Sequence, residues 1–94
     1  MAVEYLYDCI RATVGDDMKI EAEIYDDEGI ALTEECRFRL YDKNEELISI
    51  TEGVCVDNMW TFIVPIKNMP KGKYFYSVCY RGANICFKQP IYLV

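Results

Sequence analysis

Apolar and polar side chains alternate through most of the chain. In residues 18–25, Met18, Ile20, Ala22 and Ile24 are separated by Lys19, Glu21 and Glu23. A period of two puts one set on each face of an extended ribbon, so this segment is predicted to be a strand with one wet face. Residues 36–41 repeat the pattern, with Cys36, Phe38 and Leu40 inward and Arg37 and Arg39 outward. Residues 46–51 set Ile48 and Ile50 on one face and Leu47, Ser49 and Thr51 on the other, and a short strand is expected at 54–56. Residues 59–64 are apolar on both faces, with Trp60 expected as the core anchor. Residues 74–81 and 85–94 are expected to form a closing hairpin over Gly82, Ala83 and Asn84, and residues 3–14 to hold one strand or a broken pair. Pro90 has no N–H for a ladder, so its strand should run at an edge, bulge or switch sheets there.

Turn chemistry fills the gaps. Asp26, Asp27 and Glu28 are acids that accept local backbone bonds and Gly29 tolerates positive φ, while Asp42 to Glu45 and then Asp57 with Asn58 break the pattern as polar turns. Pro70 and Gly72 mark a further loop. Short strands with turn signals every ~8–12 residues, and no room for an ordinary helix, are the pattern of a β-sandwich or small barrel. The 94 residues supply one core and not two, so residues 1–94 are read as a single domain.

Composition strengthens this reading and narrows the function. Apolar residues make up 52% of the chain, with eight Tyr, four Phe and one Trp, enough to order it. The formal charge of −6 disfavours nucleic acid and anionic membrane as partners. No apolar run approaches the ~18 residues of a membrane-spanning helix. The first residues lack the basic and apolar regions of a signal peptide, which points to a cytoplasmic chain during synthesis.

Chemistry is sparse. With no His, the usual general base and the commonest metal ligand are missing, so no catalytic, cofactor-binding or metal residue is assigned and no enzyme activity is expected. Asp16, Asp17, Asp26, Asp27 and Glu28 lack the spacing of a calcium loop and are read as solvated turn residues. Five cysteines, Cys9, Cys36, Cys55, Cys79 and Cys86, contain no CxxC pair. Pairing Arg81 with Ile85 sets Cys79 opposite Phe87 and Tyr80 opposite Cys86, on opposite faces, so reduced thiols are expected. Tyr74, Tyr76 and Tyr80 share one parity; they either fill the core and its corner, the favoured reading, or form a stacking surface for sugar or protein.

The run Val14, Gly15, Asp16, Asp17, the later 27–33 segment Asp-Glu-Gly-Ile-Ala-Leu-Thr, and Gly72-Lys73-Tyr74-Phe75-Tyr76-Ser77-Val78 within 70–78 frame residues 14–94. In these the chain resembles the small immunoglobulin-like domains of tailed-phage and prophage structural proteins, baseplate and tail-associated ones in particular. It departs from them at Glu34 and Glu35, where a small step is expected. The expected fold is therefore an immunoglobulin-like β-sandwich of about seven antiparallel strands. The resemblance implies a non-enzymatic assembly module, associated with a virion, whose partners are other phage-particle proteins or copies of itself. A carbohydrate-binding or adhesion sandwich and a small intracellular interaction domain are the rivals. The expected interaction surface is the C-terminal strand and its hairpin partner, with Ile85, Phe87, Ile91 and Tyr92 as contact residues, because a terminal strand can offer unpaired backbone groups to another chain.

Overall fold

In the computed structural model, residues 3–5 and 10–94 are described, the side chains of 3–5 and of Phe87 excepted. These residues form nine strands and no helix: β1 (Val3–Tyr5), β2 (Ile10–Ala12), β3 (Met18–Glu23), β4 (Cys36–Tyr41), β5 (Leu47–Glu52), β6 (Val54–Val56), β7 (Met59–Val64), β8 (Gly72–Tyr80) and β9 (Ala83–Leu93). They build two sheets, one in the order β1-β2-β9-β8-β4-β5 and the other β3-β7-β6. The all-β expectation holds. The count and the ladders differ from it: there are nine strands rather than about seven, and β2 runs parallel to β9.

Alternation sets the core, since inward positions of facing sheets interdigitate. Met18 and Ile20 from β3, Phe38 and Leu40 from β4, Trp60, Phe62 and Val64 from β7, Tyr74 from β8 and Ile91 and Leu93 from β9 are all buried in one cluster. Phe38 stacks on Tyr76 at 5.2 Å between ring centroids and meets Phe62 at 5.9 Å. Tyr76, Val78 and Tyr80 pack against this cluster, so the tyrosines of that parity face the interior. The Tyr74 hydroxyl donates to the Pro70 carbonyl at 2.8 Å, tying the start of β8 to the loop before it.

Two hairpins turn in two residues. Asp57 and Asn58 between β6 and β7, and Arg81 and Gly82 between β8 and β9, all have positive φ. That is the type I′ geometry whose twist matches paired strands. The second turn shifts the expected register: Tyr80 pairs with Ala83, Cys79 with Asn84 and Val78 with Cys86. Among the described cysteines, Cys36, Cys55, Cys79 and Cys86 are free. Further along, β9 bulges opposite Ser77; Lys88 takes a φ of 46° and its N–H donates to the buried Ser77 hydroxyl. Pro90 pairs with Phe75 on β8, and among the described residues the β2 ladder starts one residue later, at Ile91.

Candidate interaction surfaces

The C-terminal strand does not lie at a sheet edge. It has β8 along one side, and β2 pairs residues 91–93 on the other, closed by Val94 N–H to the Ala12 carbonyl at 2.9 Å. Ile91 is fully buried, so its side chain cannot serve as a contact residue. Ile85 and Tyr92 are exposed, and the Phe87 side chain lies outside the described residues. The four candidates therefore do not assemble one patch.

Exposed apolar side chains lie elsewhere, on the strands that end the two sheets, pointing out from the large sheet on one side and from the small sheet on the other. The β5 strand closes the large sheet and β6 the small one, and the chain passes between them at Gly53 alone. Register explains the exposure. Phe38 and Leu40 point into the core opposite Thr51 and Ser49, so the other parity of β5 points away from it, Ile50 opposite Arg39 and Glu52 opposite Arg37. A register shift at Leu40/Tyr41 brings Leu47 to the same outer face opposite Tyr41. Thus β5 is inverted: half-buried Ser49 and Thr51 lie beneath, and Leu47, Ile48 and Ile50 are exposed. With Val54 and Val56 on β6 and Ile63 on β7, these side chains are between 43% and 64% exposed. Ser49 Oγ is shielded from solvent yet has no hydrogen-bond partner.

The sequence carried a signal for this edge that alternation alone did not read. No Lys or Arg occurs between Lys43 and Lys67. Natural edge strands are commonly blunted by lysine, proline or an inward charge. The regular part of β5 has none of these.

The outer face of the large sheet next to β5 is different. Arg37 meets Glu35 at 2.7 Å and Glu52 at 3.3 Å, and Lys88 meets Glu45 at 3.0 Å. Lys73 lies over the Phe75 ring and Lys88 over Tyr41. The Nε of Arg39 is buried without a hydrogen-bond partner.

The acidic turns are occupied with their own backbone. Asp26 accepts from the N–H groups of Glu28 and Ile30, Asp42 from those of Asn44 and Glu46, and Asp16 from that of Asp17. Among the described residues no three His, Cys, Asp or Glu side chains are placed to hold a metal ion, and no helix is long and apolar enough to cross a membrane. Burial pushes the Cys36 thiol up to about 11, with Cys79 adding to the rise, and raises Cys86 as well against an opposing hydrogen bond from Tyr76. Neither is an activated nucleophile, which needs a lowered pKa. A crevice of about 220 Å³ opens between the sheets beside Ile20, Ala22, Ile24, Val78 and Ile85. Among its lining side chains only Tyr76 and Cys86 carry a polar atom, too few to orient a small ligand.

Compared with known proteins, the chain matches no family model, no curated protein and no solved structure.

Proposed function

We propose that this chain is a non-enzymatic interaction module on an immunoglobulin-like sandwich, joined to other proteins through strand edges and sheet faces. The order β2-β9-β8-β4-β5 opposite β3-β7-β6, and the tyrosine hydroxyl closing the corner before β8, support the immunoglobulin-like reading. The observation that carries the function is the apolar outer face of β5 and β6, the outermost strands on that side of the two sheets, with no lysine, arginine or proline in either strand. An exposed edge offers backbone donors and acceptors to an incoming strand, and its apolar side chains add area. The resemblance of residues 70–78 to phage structural domains gives the proposal its most specific form, an assembly module of a phage-derived particle. A sugar-stacking surface finds less support, because Tyr74, Tyr76 and Tyr80 face the core.

Cross-linking mass spectrometry on the chain in its native cells tests this. Partner cross-links on exposed side chains of the two sheets are expected. Turnover of an ester, phosphate or glycoside substrate by the pure chain, lost with a single surface substitution, would refute the proposal.

A further inference from the structure

The inverted polarity of β5 permits a statement about what covers it, resting on the interaction-module reading. Alternation normally sends the isoleucines of a strand toward its own core. Here Thr51 and Ser49 take those positions opposite Phe38 and Leu40, while Leu47, Ile48 and Ile50 are in solvent. The strand is six residues long, bulged only at its start, and outermost in its sheet.

Charge selects the occupant. Acidic side chains frame the apolar stretch, Glu45 and Glu46 before it and Glu52 after it, with Asp57 beyond β6. Arg37 is shared between Glu52, to which its Nε and terminal nitrogen donate at 3.4 and 3.3 Å, and Glu35 at 2.7 Å, so two carboxylates meet one cation there. A second copy is a poor fit. Antiparallel self-pairing centred on Ser49 would stack Ile48 against Ile50 but bring Glu52 of each copy to the end of the other where Glu46 enters the strand, and like charges brought together destabilise a pair. Sliding by two residues relieves the clash by placing a glutamate opposite an isoleucine. Each copy also carries a charge of −6.

We infer that β5 is completed by an extended segment of another protein, antiparallel to Leu47–Glu52, with aliphatic side chains at alternate positions and Lys or Arg at both ends. Its backbone extends the large sheet, its aliphatic side chains lie beside Ile48 and Ile50, and its terminal cations meet Glu46 and Glu52.

The probe is a blocked heptapeptide, Lys-Thr-Ile-Thr-Ile-Thr-Lys, titrated into the full-length isotope-labelled chain and followed by amide shifts and hydrogen exchange. Shifts and slowed exchange should concentrate on β5 and the Gly53 junction. Replacing both lysines with glutamate, or changing the chain by Ile50→Lys, should each weaken binding about tenfold or more. Ile48→Lys repeats the second arm at another exposed position, and unchanged melting of either variant shows that the fold is intact. No binding at β5, equal binding of the glutamate peptide, or a concentration-dependent dimer broken by Ile50→Lys would each overturn the inference. Partner cross-links confined to another face would sink this inference and leave the interaction-module proposal standing, whereas substrate turnover would sink the proposal itself.

Discussion

Trp60 fills the core and also holds a loop. Its ring is buried and stacks near Phe62 at 6.2 Å between centroids, while its Nε1 donates to the Leu32 carbonyl at 2.7 Å. Trp60→Ala is expected to cost about 3–5 kcal/mol by denaturant unfolding, the usual cost of truncating a buried aromatic. Trp60→Phe keeps much of the packing and loses the bond, so about 1–2 kcal/mol is expected; equal losses for the two would assign the whole effect to the Leu32 contact. Cys36 makes a second residue-scale prediction. Its folded pKa of about 11 lies above its ordinary 9.0, because burial disfavours the thiolate. The folded state therefore holds this proton where the unfolded state has lost it. Stability from this group is full below pH 9 and declines as pH rises toward 11. The measurement is a comparison that cancels every other group: the fall in urea midpoint between pH 8 and pH 10 should be smaller in Cys36→Ala than in the parent.

Strand β4 has the boundaries its alternation predicts, and β6 and β7 have those expected from their apolar runs and the turn residues around them, because each of these signals is local. The hairpin into β9 turns in two residues, one fewer than its Gly-Ala-Asn loop suggests. Arg81 was expected to be a paired residue, but it takes a φ of 51° in a two-residue turn, held by its N–H to the Glu35 carbonyl at 2.8 Å and an ion pair with Glu34 at 3.1 Å. Those contacts lie some forty-five residues away in sequence, outside the reach of any local pattern. For the same reason the candidate surface was legible only in part. Parity separated Ile48 and Ile50 from Ser49 and Thr51, but which set faces the core depends on β4, which pairs with β5 and packs its Phe38 and Leu40 inward. The passage from β5 to β6 shows what such long-range packing demands. The chain changes sheets at Gly53, whose N–H donates to the Cys36 carbonyl at 2.9 Å. A Cβ there would stand 2.6 Å from Phe62 Cε1 and 2.7 Å from Trp60 Cε3, both on rings fixed in the core. Gly53→Ala is therefore expected to destabilise by about 1–3 kcal/mol, as overpacking does. A thermal midpoint at or above that of the parent would show that the two rings can move aside.

At the scale of the whole molecule, the two ends of the described sandwich are joined. Ile10, Arg11 and Ala12 pair in parallel with Ile91, Tyr92 and Leu93, and Val94 exchanges backbone bonds with Ala12 and Val14 at 2.9 and 3.0 Å. Bringing residues so distant in sequence together costs about 4 kcal/mol in loop-closure entropy beyond a constant, more than any hairpin in the chain. Such a contact is favoured to form late in folding, after β4, β8 and β9 have paired and shortened the effective loop. The buried Ile10 and Ile91 side chains are direct partners in this ladder and sit in the same core cluster. Ile10→Ala and Ile91→Ala are each expected to cost about 2–5 kcal/mol. Because the two side chains touch the same surroundings, the double variant should deviate from additivity by about 0.5–3 kcal/mol. Late formation adds a kinetic signature: most of each loss should appear as faster unfolding, with refolding nearly unchanged. Stopped-flow chevrons on the parent and the three variants measure both quantities. Refolding slowed in proportion to the lost stability would place the joined ends in the folding nucleus instead, and strict additivity would mean that the ladder holds the termini through its backbone alone.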